Sequence, residues 1–539
     1  MAAVAIVACM TVADPVAASS VPPAAAVDAG VQFAPGAVGG GDIPGRFIGI
    51  SVEWTLTDRY MGANSRPAFV NLLRNLGSGV LRIGGSSQDQ VPFDATAPDS
   101  DRYVTPDDLA RVRATLDLLD SGGPSTPAWE TVLGTAMAPP SAAFPWRSVD
   151  RAVAFARSGV APVFGDDAGR REVAAISLGN EPDLTYSGDL ARYLGELPAY
   201  ANAEPVNDWP LEMPATSEPI GPWQDLEQPP PGFDARWFWD WPTILAALAP
   251  TLEQRPGPLG PTATDHFYPL ARTCSPDTQY RCPSIERLLD PEGMDNFGFE
   301  VFTHAIEAAR LGLRYRIDET NTAAARGAPG VSDVAASATW TLDTLFNAAC
   351  PQPPNYPGAN ATCRIGAGGV NFHNSERNAF FKPEEGNAYY NAIRYDPTPR
   401  AGAPTPGPSY YALLLFAQLA ERTTGLRPVA VDGPVPVTGW EVRVGAQQRM
   451  FLINNGATPV TVEVSTPAAR VITDRMTPYD PTGAGRTLDA PAVRIDGQTV
   501  APDGTFPGLA PTTATTLDGR LPAAIAPGEA LVLTIDDHA

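Results

Sequence analysis

Basic residues are scarce in this chain. Its 37 Lys and Arg face 60 Asp and Glu, which gives a formal net charge of -23 and a pI near 4.5. The acidic excess is spread along the sequence rather than gathered in a tail. Nucleic acid is therefore not an expected partner, because binding it needs a basic footprint that displaces counterions. A polyanionic substrate is also repelled at long range unless a pocket gathers local positive charge. Histidine is rarer still, with four in 539 residues, and no CxxC or HExxH spacing occurs, so neither a metal site nor a cofactor is expected. No apolar run reaches the roughly 20 residues that a membrane-crossing helix requires, and no internal repeat is visible.

What is present is a chain of 539 residues with an ordinary apolar share of 44%, more than one core usually holds, which implies a large domain plus a smaller one. The opening MAAVAIVACMTVA, followed by small residues at Val16, Ala17 and Ala18, reads as an export signal over residues 1–18, though a basic leading segment is missing. Ile6-Val7-Ala8-Cys9 also resembles a lipobox, and a lipid on Cys9 is the lesser alternative. Beyond that leader four cysteines stay, two local pairs in Pro-rich surroundings, and disulfides Cys274–Cys282 and Cys350–Cys363 are the natural choice among three connectivities. A secreted or periplasmic location follows.

Short β-branched apolar runs recur, each ending in Gly, Ser, Asn or Asp and followed by a helix-like segment, the rhythm of β/α units. Eight strands are expected at Phe47 to Trp54, Val80 to Ser86, Glu130 to Met137, Val173 to Gly179, Leu211 to Ile220, Ala263 to Tyr268, Leu313 to Thr320 and Gly368 to His373. Helices are expected at Val149 to Arg157, Asp240 to Leu248, Phe302 to Leu311 and Ala335 to Ala349. The fold class is α/β, a (β/α)8 TIM barrel over residues 45–425 with Pro-rich insertions such as Gln228 to Gly232 and Pro351 to Pro357. After an apolar helix at Tyr410 to Leu419 the pattern changes to short alternating strands between Gly/Pro turns, including Gly439 to Val444, Met450 to Asn454, Val460 to Val464 and Ala530 to Ile535. Residues 426–539 therefore read as a C-terminal antiparallel β-sandwich, completed by residues 31–44.

Two sites carry chemistry. In Ser177-Leu178-Gly179-Asn180-Glu181-Pro182-Asp183 a buried-strand pattern stops at Asn-Glu, and Pro182 prevents the strand from continuing. Tyr315-Arg316-Ile317-Asp318-Glu319-Thr320-Asn321 breaks at a glutamate in the same way. Counted along the barrel these are strands four and seven, and both carboxylates fall at the C-terminal mouth, where this fold builds its active sites. Such a pair suits glycosidic cleavage: one group protonates the leaving oxygen and the other attacks the anomeric carbon or activates water. Glu181 is the expected acid/base and Glu319 the expected nucleophile, kept ionised by hydrogen bonds and a basic neighbour such as Arg316. Asn180 is placed to bind a sugar hydroxyl. A glutamate before proline is more often a plain strand end, and Asp318 is an alternative nucleophile; strand alternation favours Glu319 by placing it with Tyr315 and Ile317, away from Arg316 and Asp318.

Taken together these residues resemble the family-79 glycoside hydrolases, which include β-glucuronidases and heparanase-like enzymes. The resemblance runs through most of the chain: Ser51-Val52-Glu53-Trp54, Leu81 to Asp89 (LRIGGSSQD), Gly179 to Asp183, His266-Phe267-Tyr268, Glu319-Thr320-Asn321, Gly330 to Asp333, Gly369 to His373 and Tyr410 to Leu414. It implies Glu181 as acid/base, Glu319 as nucleophile, and Glu53, Gln88, Asn180 and Tyr268 as substrate-binding residues; His373, ending strand eight at the mouth, is a further substrate contact or a hydrogen-bonded wall residue. Gln88 with Asp89 serves equally well as a helix cap, and Tyr268 as a core aromatic. Where the glucuronidases hold their sugar's carboxylate the chain differs: Thr322-Ala323-Ala324-Ala325-Arg326-Gly327 replaces a Tyr and glycines, and Ala379-Phe380-Phe381-Lys382-Pro383 replaces another Tyr. Arg326 or Lys382 then supplies a different clamp, or is a solvated loop charge. The expected activity is that of a retaining exo-β-glycosidase of the β-glucuronidase type acting on a glycoside or glycan. The alternatives are a β-glycosidase for a neutral sugar and a secreted carbohydrate-binding protein with an inactive barrel.

Overall fold

The structure, a computed structural model, describes residues 27–33, 40–120, 128–217, 239–276, 278, 281–353, 360–376, 387–395, 402–483 and 487–536. The expected signal over residues 1–18, Cys9, the insertion at 228–232 and Lys382 lie outside these residues.

After β1 (Ala29–Gln32) the chain forms eight strands: β2 (Ile48–Glu53), β3 (Gly79–Gly84), β4 (Trp129–Thr135), β5 (Val173–Leu178), β6 (Leu211–Thr216), β7 (Thr262–Phe267), β8 (Arg314–Thr320) and β9 (Val370–Asn374). Each pairs in parallel with its neighbour, and β9 closes on β2, with Ser51 opposite His373. This is the (β/α)8 barrel. Six of the eight strands, β2 to β6 and β9, are buried at every position, because both faces are covered, one by the barrel interior and one by helices. The helix expected at Ala335 to Ala349 has those bounds, and the ones expected from Val149 and Asp240 start there or one residue later; all but the first differ in extent. The segment placed at Phe302 begins at Pro291 and runs to Arg310, because Asp290 caps it through Glu292 N–H and Pro291 is preset for a first turn. The segment from Val149 is helical to Ala154 and passes into a π-helical turn, Phe155–Val160.

A minor pair, β10 (Ile393–Arg394) with β11 (Thr405–Pro406), precedes a second layer. β12 (Thr424–Pro428), β13 (Val437–Val444), β14 (Gln447–Asn454), β15 (Val460–Ser465), β16 (Arg470–Tyr479), β17 (Ala492–Ile495), β18 (Thr512–Thr515), β19 (Arg520–Ile525) and β20 (Ala530–Asp536) follow. Seven of them form one sheet in the order β12-β13-β14-β20-β16-β17, with β18 on β16. The other sheet is β1-β15-β19, so residues near the N-terminus, Ala29 to Gln32, pair in parallel with Val462 to Ser465. Val31, Phe33, Leu452, Val462, Leu531 and Leu533 are among the apolar side chains between the sheets. On its other face the large sheet continues the barrel's core: Phe346 stacks on Trp440 at 5.4 Å and meets Phe451 at 4.9 Å. Burial on both faces explains why β20 lacks the alternation of a one-sided strand.

Disulfides join Cys274 to Cys282 and Cys350 to Cys363. Among the described residues no helix is long and apolar enough to cross a membrane.

Candidate active site

A cleft of about 350 Å³ opens at the C-terminal ends of the barrel strands. Its walls include both glutamates picked out from sequence, Glu181 after β5 and Glu319 on β8, together with Glu53, Tyr268, Arg326 and His373. Gln90, Arg281, Ser375, Glu376 and Tyr390 complete much of the remaining surface.

Glu181 reaches the cleft through a backbone reversal. Gly179 has φ +80° and a Cβ there would lie 2.6 Å from the Met137 carbonyl, so this turn requires glycine. Glu181 itself is left-handed at φ 47°, a conformation that costs a side-chain-bearing residue roughly 1 kcal/mol, and its N–H donates to the Ala215 carbonyl at 2.9 Å. Beside it, Asp89 accepts the N–H groups of Asn180 at 2.7 Å and Met137 at 3.0 Å, pinning the reversal to the β4 end. Burial pushes the Asp89 carboxyl up to about 6 against the pull of Arg147 and these two N–H bonds.

Glu319 is held from three sides. Tyr268 donates its hydroxyl to Oε1 at 2.7 Å, Arg82 Nη1 donates to Oε2 at 2.7 Å, and His373 Nδ1 lies 3.7 Å from Oε2. Burial alone would raise this carboxyl, but His373, His266 and Arg82, with the Tyr268 hydrogen bond, hold it well below the usual carboxylate range. Arg82 is fully buried on β3 and also donates to Asn180 Oδ1 at 2.8 Å, with its Nε 3.2 Å from Asp318. One guanidinium thus ties the ends of β5 and β8 together.

His266, on β7, spans the two glutamates' surroundings. Its Nδ1 lies 3.0 Å from Glu181 Oε1 and its Nε2 3.5 Å from Asp318 Oδ1. Burial opposes its charge, yet Glu319, Asp318 and the Glu181 hydrogen bond push it up to about 9, so it is an imidazolium at neutral pH. Donor atoms of Glu181, His266 and Glu319 all lie within 4.8 Å of one another. A second set of possible metal ligands, Asp265, Glu300 and His304, is buried outside the cleft. Asp265 there already accepts from Tyr315 Oη at 2.7 Å and pairs with His304 Nδ1 at 2.6 Å.

Several sequence-based placements change. Strand alternation does not separate the carboxylates of β8 as expected. Tyr315 faces outward to Asp265 and the helix of His304, whereas Arg316 and Asp318 point into the barrel interior, and Glu319 joins Arg82 as Asp318 does. Register shifts on both sides of β8, between Asp265/His266 and between Ile317/Thr320, account for the break. Asp318 is 1% exposed and does not line the cleft; Glu319 does. Arg316 is not the cation beside Glu319: it bonds Asn371 Oδ1 at 2.7 Å and the Arg46 carbonyl at the other end of the barrel, and Arg82 takes the expected place.

Gln88 is not brought to the cleft. Its amide packs between Gly84 and Gly134, where a Cβ would approach its Oε1 to 2.3 and 2.0 Å, beside a void of about 10 Å³ under Trp54 and Phe155. Asn180 stands behind Glu181 rather than among the lining residues. Glu53 does line the cleft, with Oε2 accepting Ser87 N–H at 2.8 Å and Oε1 3.4 Å from His373 Nε2. Arg326 is 6% exposed on a left-handed turn and donates to the Glu376 carbonyl at 3.4 Å. Arg82 and His266 have no expected role from the sequence, although a charged or polar side chain inside an apolar strand run is the signal that marks them. Glu376, in a loop, carries no such signal.

No protein-family profile and no curated protein sequence matches this chain. Solved structures do. A 4-O-α-L-rhamnosyl-β-D-glucuronidase from Fusarium oxysporum 12S aligns with TM-score 0.64 at 16% identity, over 94% of this chain and 100% of that one. A family 51 α-L-arabinofuranosidase from Bifidobacterium longum gives 0.60 at 13%, over 95% and 100%. A monomeric β-xylosidase from Caulobacter crescentus CB15 gives 0.53 at 13%, over 95% and 100%. The chain has the fold these glycoside hydrolases share.

Proposed function

We propose that the protein is a retaining exo-β-glycosidase, with Glu319 as nucleophile and Glu181 as acid/base. The observation that carries this reading is the approach of the two carboxylates, one oxygen of Glu181 lying within 4.8 Å of one oxygen of Glu319. Retaining enzymes hold their carboxyls about 5 to 5.5 Å apart, while inverting ones leave about 6.5 to 9.5 Å for a water molecule. Glu319 attacks the anomeric carbon as Glu181 gives its proton to the leaving oxygen. Glu181 then takes a proton from water, which attacks the glycosyl ester and frees Glu319. Tyr268 and Arg82 fix the plane of the attacking carboxylate, and His266 holds one oxygen of Glu181 so that the other meets the glycosidic oxygen.

The leading substrate is a β-glucuronide, with Arg326 as the clamp for its carboxylate, and one neighbour in fold is a glucuronidase by name. A neutral sugar is the second reading, favoured by two further carboxyls on the wall, Glu53 and Glu376. Two disulfides fit an oxidising compartment outside the cytoplasm. Hydrolysis of chromogenic β-glucuronide, glucoside, galactoside and xyloside by the wild type and by Glu319→Gln tests the proposal. Turnover of one of them by wild type alone supports it; no turnover of any returns weight to a carbohydrate-binding barrel.

A further inference from the structure

The chemistry above uses Glu181 and Glu319 and leaves a third carboxyl on the same wall without a task. Glu376 follows β9 by two residues and is held on one side only. Its Oε2 takes Arg59 Nε at 2.9 Å and the Tyr395 hydroxyl at 2.9 Å. Its Oε1 has no hydrogen-bond partner among the described residues, and the side chain lines the cleft. Arg326 Nη1 donates to the backbone carbonyl of the same residue at 3.4 Å, and both residues line the cleft that holds the catalytic pair.

We propose that Glu376 sorts the terminal sugar by charge: protonated, it donates a hydrogen bond to a uronate while Arg326 supplies the countercharge; ionised, it repels a uronate and accepts from the hydroxyls of a neutral sugar. The proposal rests on the cleft being a glycosidase subsite. The groups facing Glu376 are Arg59 and Tyr60 from the segment after β2, Glu53 at the end of β2, Asp101, Tyr395 and Arg326. Burial pushes the Glu376 carboxyl up to about 7, Arg59 and the Tyr395 hydrogen bond pull it down, and Asp101 and Glu53 add to the rise. Its charge therefore changes within the working range of a glycosidase, while a glucuronide stays anionic throughout.

The test is the ratio of kcat/KM for 4-nitrophenyl β-glucuronide to that for 4-nitrophenyl β-glucoside from pH 5 to 9, in wild type and Glu376→Gln. Titrations of the catalytic pair enter both constants and cancel in the ratio. The wild-type ratio should fall by about tenfold with a midpoint near pH 7, the size expected for one like charge a few Å away in a partly wet cleft, and should be flat in Glu376→Gln. A wild-type ratio independent of pH, or the same fall in both proteins, overturns the proposal. If Glu376→Gln does not fold, by its thermal midpoint, Tyr395→Phe takes its place: losing the hydrogen bond that pulls the Glu376 carboxyl down should move the midpoint of the fall to higher pH, and an unmoved midpoint overturns the proposal. Where none of the four chromogenic glycosides is cleaved the glycosidase reading fails first, and whenever the glucuronide or the glucoside is not cleaved calorimetric Kd values for free glucuronate and glucose across the same pH range test Glu376 separately. The Kd ratio should follow the same curve; an unchanging ratio, or no binding of either sugar, overturns the role given to Glu376.

Discussion

Nη1 of Arg82 lies 2.7 Å from Oε2 of Glu319, and both side chains are buried at the barrel mouth. A buried cation placed this way does two things. It keeps the glutamate ionised, as a nucleophile must be, and it makes the carboxylate dependent on its partner. Replacing Arg82 by Gln leaves Glu319 and Asp318 without that charge, and loss of one partner from a buried pair costs about 3 to 5 kcal/mol. Urea unfolding should show this loss. The acid limb of kcat/KM should move to higher pH, because Glu319 then protonates more easily; an unmoved limb would mean that Arg82 is structural only.

Glu181→Ala separates the two steps of the reaction. General acid help is worth roughly 10²- to 10⁴-fold, and only a basic leaving group needs it. Alkyl glycosides should therefore lose activity by that range, while a dinitrophenyl glycoside changes little in kcat/KM and its deglycosylation is accelerated by azide. Equal losses on both substrates would remove Glu181 from the acid role.

The titration of buried carboxyls sets a sign for stability. Burial is the first cause of upward shifts at Asp89 to about 6 and at Glu130, Asp183, Glu376 and Glu421 to about 7. Each binds its proton more tightly folded than unfolded, where the value is near 4, so folding takes up protons. This stabilisation is complete below about pH 4 and is lost as pH rises through 6 to 7; Glu319, shifted the other way, opposes it alone among these groups. The thermal midpoint should be higher at pH 5 than at pH 8, and a rise between those values would contradict the assignment.

Much of this fold is legible in the sequence because a parallel barrel buries both faces of its strands, which then read as apolar runs stopped by Gly, Asn or Glu. Glu181 and Glu319 stand out because each breaks such a run. The same feature defeats alternation as a guide. With both faces buried, inward and outward residues differ little in polarity, and irregular pairing around β8 turns Glu319 to the mouth beside inward Asp318. Arg316 and Arg82 are alike in sequence, charged residues within apolar strands, yet only the height of each on its strand decides which meets the nucleophile. Gln88 fails for another reason. Two glycines on neighbouring strands, Gly84 and Gly134, make room for its amide inside the wall, a relation between strands that no local pattern contains. Glu376 is brought to the cleft by its loop and by Arg59, more than 300 positions away.

Glu319 carries the glycosyl group in the proposed mechanism, and covalent trapping shows whether it does. The protein is incubated with the 2-deoxy-2-fluoro β-glycosyl fluoride of whichever sugar it cleaves, digested, and its peptides are weighed and fragmented by mass spectrometry. A single added sugar is expected on the peptide containing Asp318 and Glu319, with fragmentation placing it on Glu319. A sugar on Asp318, or time-dependent turnover with no adduct and an inverted anomeric product, would contradict it.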